Sequence, residues 1–331
     1  MTAGGPRVSA EVAAALADGR PVVALESTVF SRLGLPDPAG SDARGRAYGA
    51  LAAAGAVPAL TVVLSGVPRV GVGDDELPLV LGADRKVAER DLPVAVAQGW
   101  PAGATTVSAS LALAAAAGIG VFATGGIGGV HRDFAATGDE SADLVAVARH
   151  PVVTVCAGAK SFLDLPRTLE RLETLGVPVV GLGTDAGAFP GFWSRRSGGP
   201  LVPHEVSSPE EAAGVVRSAR ALGYGGGLLV VTPVPEGDEV PYDELGPVIE
   251  AALAEAASAG VSGAAVTPFV LGRIAAATGG RTVAANVALV EHNAAIAGAI
   301  AAALAHPRPT LHRSPGADRP REGHPGEIGR G

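Results

Sequence analysis

The sequence predicts an α/β fold in which a largely parallel sheet is covered by helices. Short apolar segments with β-branched residues alternate with alanine-rich helical segments along most of the chain, as in folds built from strand–helix units. Hydrophobic residues make up 47% of the 331 residues, so a sizeable core can form. Neither an internal repeat nor a linker interrupts the first 305 residues, which predicts a single domain over residues 1–305.

The first elements are a helix and a buried strand. Ser9 is a residue type that caps helices and Gly19 is one that ends them, so residues 10–18 predict a short helix. The apolar run at 21–26 predicts a buried strand that ends on an acid, Glu26. Open α/β sheets bind ligands at the carboxyl ends of their strands, so this acid is a candidate site residue.

Later segments continue the alternation. Residues 65–82 predict a β-hairpin, with strands near 67–72 and 77–81. Residues 208–211 form a capping box with proline at the first helical position, and they predict a helix that runs to about residue 222. The remaining predicted strands are 60–64, 121–123, 152–155, 177–182 and 226–231. The remaining predicted helices are 41–54, 92–99, 105–117, 142–149, one that carries Leu165, Leu169 and Leu172, 242–259, 267–277 and 284–305.

Charge and cysteine content exclude several classes of protein. The net charge of −8 is spread along the chain, which leaves no basic face for nucleic acid or for an anionic membrane. The only cysteine, Cys156, cannot form a disulfide within the chain and fits a reducing cytosol. The apolar runs at 109–123 and 294–305 are too short to span a bilayer, and the first ten residues lack a secretory signal. We therefore expect a cytoplasmic protein, with a disordered polar tail at 306–331.

Two residues that follow apolar strands are candidates for acid–base and nucleophilic chemistry. A lysine at the end of a strand, Lys160, could be desolvated and attack a carbonyl carbon, or it could lie in solvent or bind phosphate. Glu26 could act as a general acid or base, or it could cap a helix or pair with a neighbouring cation.

The segment 121–160 combines the remaining candidate groups. Asp139 and Asp143 are four residues apart and share a helix face, where they could bind a hard cation such as Mg²⁺ or Mn²⁺ or simply stabilise a helix start. The glycines at 125–129 could cradle a phosphate or form a tight turn. His131 could bind substrate or carry a proton, or have no special role.

Several long strings resemble one family, the pseudouridine-5′-phosphate glycosidases, which form the indigoidine synthase A-like group. The resemblance covers roughly residues 10–305. The strings are ALEST at 24–28, GATTVSAS at 103–110, FATGGIGGVHR at 122–132, DESADL at 139–144, VCAGAKSFLDLPRTLERLETLGVPV at 155–179, VTPF at 266–269 and ANVALVEHNA at 285–294.

The resemblance implies an α/β/α fold of three layers, a homotrimer and a reversible reaction. The implied reaction cleaves pseudouridine 5′-phosphate to uracil and ribose 5-phosphate with Mn²⁺ or a similar divalent ion such as Mg²⁺. Lys160 would be the nucleophile that forms an adduct with C1′ of ribose, and Glu26 would be the proton donor and acceptor. Asp139 would be the metal ligand, mainly through waters. The residues implied to contact or line the substrate site are Lys86, Val107, His131, Ser141, Ala142, Asp143 and Asn286.

Three segments depart from the family pattern, at 31–36, 184–190 and 264–265. They bear on substrate preference and assembly more than on the core reaction. Two other functions stay open at this point: a Schiff-base aldolase or lyase that acts on another sugar phosphate, and a non-catalytic paralogue that binds sugar phosphate. The presence of Glu26, Asp139 and Lys160 together argues against the non-catalytic alternative.

Overall fold

A computed structural model describes residues 5–261 and 266–305. Within these ranges the chain forms eleven strands and twelve α-helices. The strands are β1 Arg7–Val8, β2 Val22–Leu25, β3 Val57–Leu64, β4 Val67–Val70, β5 Lys86–Val87, β6 Ala102–Thr105, β7 Val121–Ala123, β8 Val153–Cys156, β9 Val179–Leu182, β10 His204–Val206 and β11 Leu228–Val231. The helices are α1 Ala10–Ala17, α2 Ala39–Ala53, α3 Leu77–Leu81, α4 Leu92–Ala97, α5 Val107–Ala116, α6 Phe134–Thr137, α7 Ala142–Arg149, α8 Leu165–Thr174, α9 Pro209–Ala221, α10 Tyr242–Ser258, α11 Val266–Ala277 and α12 Arg281–Ala305.

The strands form one mixed sheet that is largely parallel. Its order is β1-β4-β3-β2-β7-β8-β11-β9-β10, with β6 paired to β3 and β5 paired to β6. Among the eleven strands of the described residues, antiparallel pairing is confined to β3 with β4 and β3 with β6. The strands β2, β7, β8 and β11 are buried along their whole length. Helices lie on both sides of the sheet, so the predicted α/β/α fold is confirmed.

Helix α12 is the long helix of the core. It packs against α2 and α9 and against the central strands β2, β7 and β8. Among the described residues it alone has the length and apolar composition to cross a membrane, although 56% of its most apolar window is buried inside the fold. The apolar run predicted at 294–305 is the second half of this helix. Such a helix is therefore explained by its place over the sheet.

Polar residues define several helix starts as the sequence predicts. The Ser9 side chain accepts a hydrogen bond from the Val12 amide at 3.3 Å, and Ser208 accepts one from the Glu211 amide at 3.2 Å. Ser9 caps the start of α1. Ser208 caps the start of α9, which has a proline in its first turn. Both predicted caps are confirmed.

The predicted hairpin at 65–82 is wrong in its second strand. Residues 67–70 turn back on β3 through Ser65 and Gly66, which have positive φ values of 50° and 71°. Such a two-residue turn matches the twist of paired strands. Residues 77–81 form α3 instead, with Pro78 in its first turn, where a missing amide hydrogen costs nothing. A short apolar run does not distinguish a strand from a buried helix, which explains the error.

Candidate active site

The predicted site residues all line one cavity of about 510 Å³. It lies at the carboxyl ends of β2, β7 and β8, which are neighbouring parallel strands. The predicted residues in its wall are Glu26, Lys86, Val107, His131, Asp139, Ser141, Ala142, Asp143, Lys160 and Asn286. Their separate roles stay predictions, but the structure brings them together.

Sheet register brings Glu26 and Lys160 to the same edge. Glu26 directly follows β2, and Lys160 comes four residues after β8. The turn between β8 and Lys160 depends on Gly158, which has a φ of 78° and lies against the carbonyl of Pro190. A β-carbon there would come within 2.1 Å of that oxygen, so only glycine fits. The Lys160 amide then donates to the Ile127 carbonyl at 3.2 Å, which ties the turn to the glycine segment.

Glu26 is nine-tenths buried, with 8% of its surface exposed. Burial raises its pKa from 4.5 to about 7, because desolvation disfavours the charged carboxylate. A hydrogen bond from Thr124 Oγ1, at 2.5 Å, and the positive charges of Lys160 and Lys86 oppose this rise, while Asp143 adds to it. Near neutral pH the carboxyl is therefore present in both protonation states, as a proton donor and acceptor requires.

A second lysine, Lys86, lies on β5 at the same cavity. Its pKa is lowered from 10.5, first by burial and then by the nearby charge of Lys160, while Glu26 and Asp143 act in the opposite direction. The two lysines place positive charge in a chain whose net charge is −8. The cavity wall also carries the carboxyl groups of Glu26, Asp139, Glu140 and Asp143, so only the part near the lysines suits an anionic group.

Asp143 connects three elements of the site. One carboxylate oxygen accepts from the Ser108 amide at 3.1 Å, in the first turn of α5. The other accepts from the Gly128 amide at 2.9 Å. Ser141 caps α7 and accepts from the Asp143 amide at 3.2 Å. Asp143 therefore holds the start of α5 and the glycine turn against α7, and Ser141 rather than an acid caps that helix.

The glycine cluster is a packing surface. A β-carbon at Gly126 would lie 2.6 Å from the Phe192 ring, and one at Gly128 would lie 2.3 Å from Ser141 Oγ. At Gly129 it would lie 2.4 Å from Thr168 Oγ1. The amides of Ile127, Gly128 and Val130 donate within the protein, to Gly158, Asp143 and Thr168. Of the two alternatives for this cluster, these contacts favour the tight turn over a phosphate cradle.

Asp139 and His131 form a polar pair at the cavity wall. The His131 amide donates to the Asp139 carbonyl at 3.1 Å, and His131 Nδ1 lies 3.9 Å from an Asp139 carboxylate oxygen. The Asp139 side chain is 38% exposed, whereas neighbouring Glu140 is engaged by Arg171 through two hydrogen bonds of 3.0 Å. Within residues 5–261 and 266–305 no group of three or more His, Cys, Asp or Glu side chains converges. The donors fit a hard cation that keeps most of its waters and do not fit a fully protein-ligated ion.

Sequence reasoning missed two groups of the cavity and its surroundings, Thr124 and Phe192. Thr124 follows β7 and faces Glu26 across the β2–β7 pair. Phe192 lines the cavity with a positive φ of 61°, a strained conformation for a bulky residue. The strand register could have identified Thr124, since both it and Glu26 lie one step beyond paired residues. No sequence signal marks the backbone of Phe192.

A buried hydroxyl network lies beside Glu26. Thr61 Oγ1 is 2.8 Å from both Thr105 Oγ1 and Ser110 Oγ, and Thr105 Oγ1 is 3.1 Å from Ser27 Oγ. All four side chains are fully buried. The network joins the ends of β2 and β6 to β3 and α5 and so fixes the backbone on either side of the cavity.

The changed loops differ in their relation to the cavity. Leu33, Gly34 and Leu35 of segment 31–36 line it. Among the described residues, none of segment 184–190 does. Residues 264–265 lie outside the described residues, as does the predicted tail at 306–331.

Comparisons with known proteins identify the family. A family model described as indigoidine synthase A like protein matches residues 11–303. The chain is 51% identical over 296 residues to a pseudouridine-5′-phosphate glycosidase of Methylobacterium nodulans, which covers 89% of this chain and 86% of that relative. It is 50% identical over 306 residues to one of Gemmatimonas aurantiaca, which covers 92% of this chain and 98% of that relative.

Two solved structures share the fold and the sequence. One is the prealnumycin C-glycosynthase AlnA in complex with ribulose 5-phosphate, with 35% identity, a TM-score of 0.83 and coverage of 91% of this chain and 97% of that one. The other is an indigoidine synthase A-like protein from Thermotoga maritima, with 37% identity, a TM-score of 0.82 and coverage of 92% and 98%. The motif resemblance is thus confirmed, and the chain belongs to the indigoidine synthase A-like family.

Proposed function

We propose that the protein reversibly cleaves the C-glycosidic bond of pseudouridine 5′-phosphate to give uracil and ribose 5-phosphate. The observation that carries this proposal is a buried carboxyl, Glu26, with a pKa of about 7 in the same cavity as Lys160. The names of the relatives from Methylobacterium nodulans and Gemmatimonas aurantiaca support it.

The chemistry explains why a lysine and a carboxylic acid are both required. The bond to be broken joins two carbons, so it has no glycosidic heteroatom that can be protonated and leave, and a pair of carboxylates is not sufficient. The Lys160 amine bonds to C1′ as the C1′–O4′ bond of the sugar ring breaks, and the proton that the amine loses goes to O4′. Its nitrogen lone pair then forms a C=N bond as the electrons of the carbon–carbon bond leave with uracil C5. Glu26 supplies the proton that C5 gains. Water then hydrolyses the iminium to ribose 5-phosphate, which frees the Lys160 amine and releases a proton that restores Glu26.

Other residues of the cavity would bind and orient the substrate. Lys86 would present positive charge to the 5′-phosphate, and Val107 at the start of α5 would contact the substrate. Asn286 is held by a hydrogen bond of 2.8 Å from Trp193 Nε1 to its Oδ1, which leaves its amide nitrogen for substrate. His131 and Ser141 would line the sugar side together with Ala142.

We further propose that Mn²⁺ or Mg²⁺ binds at Asp139, mainly through water. When bound, the ion would supply positive charge toward the substrate phosphate. A homotrimer and a cytoplasmic location complete the proposal. Light scattering of the purified protein tests the trimer, and fractionation of the producing cells tests the location.

Three measurements test the reaction. Pseudouridine 5′-phosphate is incubated with the protein and Mn²⁺, the loss of the nucleoside chromophore is followed, and uracil is quantified. If wild-type protein releases no uracil, the proposed reaction is wrong. Borohydride added during turnover should attach the sugar phosphate covalently to Lys160, as mass spectrometry of the digested protein would show, and Lys160→Ala should abolish both turnover and trapping.

Further measurements in the same assay test the role of the metal and distinguish the proposed reaction from the rival functions. A chelator that leaves the rate unchanged would remove the metal from the proposal. A Schiff-base aldolase would trap a sugar phosphate on Lys160 without releasing uracil. A non-catalytic paralogue would bind ribose 5-phosphate and show neither turnover nor trapping.

A further inference from the structure

Glu26 has one hydrogen-bond donor that its proposed role leaves unexplained. Thr124 Oγ1 donates to Glu26 Oε1 at 2.5 Å, and both side chains are buried. The contact arises from register, because β2 and β7 pair Leu25 with Ala123 and so place the next residues, Glu26 and Thr124, side by side. The hydroxyl thus fixes one of the two carboxyl oxygens and directs the other.

Thr124 is itself held from two directions. Its amide donates to the Val155 carbonyl at 3.1 Å, which continues the pairing of β7 with β8. From α12, the amide nitrogen of Asn293 donates to the carbonyls of Thr124 at 2.7 Å and Gly125 at 3.2 Å. The chain is therefore fixed at the point where β7 leaves the sheet for the glycine cluster.

The burial of Asn293 costs folding free energy. Its side chain is fully buried, and its Oδ1 has no hydrogen-bond partner within the part of the chain that the structure describes. An unpartnered buried polar atom destabilises a fold, and a native structure that retains one has a reason to do so. The reversed amide orientation would place Oδ1 against two carbonyl oxygens, so the donor role determines how the amide lies.

We propose that Thr124 is a positioning residue for Glu26 and that Asn293 on α12 holds Thr124 in place. The inference rests on the proposed reaction for its kinetic consequence, but the hydrogen-bond chain also has a consequence for folding. The charged groups that act on Glu26 are Lys160 after β8, Lys86 on β5 and Asp143 on α7. A change at Thr124 leaves all three in place.

The kinetic test compares Thr124→Val, which keeps the shape and removes the hydroxyl, with Thr124→Ser, which keeps the hydroxyl. Thr124→Val should lower kcat/KM for cleavage about tenfold at pH 7, the size of effect expected for one hydrogen bond to an ionisable group. It should also move the loss of activity at high pH to higher pH, because the hydroxyl stabilises ionised Glu26. Thr124→Ser should keep the wild-type rate and profile.

Two kinetic results would overturn the inference. One is a Thr124→Val enzyme with the wild-type rate and pH profile. The other is a Thr124→Ser enzyme as impaired as Thr124→Val, which would assign the effect to the methyl group.

Unfolding measurements test the same hydrogen bond without turnover. The loss of stability caused by Thr124→Val should be larger at pH 8, where Glu26 is ionised, than at pH 5. In a Glu26→Gln background that pH dependence should vanish. A loss that is equal at both pH values, or that persists unchanged in this background, would contradict the inference. If wild-type protein releases no uracil, the proposed reaction fails while this cycle still decides the role of Thr124.

The role of Asn293 is tested by coupling. In an Asn293→Ala background, Thr124→Val should cost less than its tenfold effect in wild type, because the threonine is no longer held and contacting residues are not additive. A full tenfold effect in that background would remove Asn293 from the proposal. Asn293→Leu, which keeps the size of the side chain and lacks the donor, is the second variant if the alanine protein does not fold, and the same reduced effect of Thr124→Val is expected in it.

Discussion

At the scale of single residues, the raised pKa of Glu26 links catalysis to folding. The ordinary pKa of the carboxyl is 4.5, and burial raises its pKa to about 7 in the fold, so the folded state favours the protonated form. The stability that the protonated Glu26 carboxyl contributes to the fold is fully present below pH 4.5 and is lost as the pH rises toward 7. A difference of about 2.5 pKa units corresponds to roughly 3 kcal/mol.

Glu26→Gln should therefore stabilise the protein at pH 8 by up to roughly 3 kcal/mol and change little at pH 5. Denaturant unfolding at the two pH values measures the difference. The exposed carboxylate of Glu173 is the control, and Glu173→Gln should have a small effect at both. A Glu26→Gln protein that is equally stable or less stable at pH 8 would contradict the raised pKa.

The same ionisation predicts the pH dependence of the proposed reaction. If Glu26 donates the proton to uracil C5, kcat/KM for cleavage should fall about tenfold for each pH unit above about 7. Initial rates between about pH 5.5 and 9, in buffers of constant ionic strength, would show this fall. The range extends roughly two pH units to either side of the titration. A rate that is flat across pH 7 would exclude Glu26 as the donor in the rate-limiting step.

At the scale of elements, the glycine turn determines how closely α7 and Phe192 approach the sheet edge. Gly126→Ala should destabilise the protein by about 1–3 kcal/mol, because its β-carbon would overlap the buried Phe192 ring. Gly45→Ala is the matched control, since Gly45 is exposed in α2 with open space around it. The control should stabilise by about 0.5–1 kcal/mol, and thermal melting compares the two. A Gly126→Ala protein as stable as wild type would show that the Phe192 ring can move aside.

The hydrogen bonds of Asp143 between elements also contribute to the stability of the fold. Asp143→Asn replaces an acceptor oxygen by a donor, so the amide of Ser108 or Gly128 loses its partner. We expect a loss of about 1–3 kcal/mol in unfolding free energy. Asp133→Asn is the control, because the exposed Asp133 side chain makes no capping hydrogen bond at the start of α6. Equal stability of the two variants would contradict the proposed connection.

Sequence patterns predicted best the elements whose ends carry a clear local signal. Helix α7 and strand β7 have the predicted bounds, because a clear cap or a glycine cluster marks their ends. Strands β1 and β5 have two residues each and exist only through pairing with distant partners, which a local pattern does not contain. Helix α3 was wrongly predicted as a strand for a different reason, because its apolar run is too short to show a period.

More residues of the site were predicted than the chemistry of single residues identifies. Motif resemblance supplied Lys86, Val107 and Asn286, which no local pattern singles out, and the structure places them in the cavity. Thr124 and Asn293 were missed because their importance lies in the pairing of β2 with β7 and in the position of α12.

At the scale of the whole molecule, the cavity draws on residues from most of the chain. Among the described residues, the last one that lines it is Val290, and the family match ends at residue 303. A chain that ends at Ala305 should therefore keep the fold and the proposed activity. The truncated and full-length proteins are compared by thermal melting and by uracil release. A truncated protein that melts at the wild-type temperature without activity would assign a role in the reaction to residues 306–331.

The position of α12 affects how the protein can be made. This helix is the last described element of the chain, yet it covers the central strands β2, β7 and β8 and supplies Asn286 and Val290 to the cavity wall. At a synthesis rate of about 5–20 residues per second, the ribosome takes roughly 10–40 s to proceed from β7 to the end of α12. During that interval the strands lack their apolar cover, so a nascent chain stalled before residue 281 is a substrate for chaperones and an enzyme without its active site.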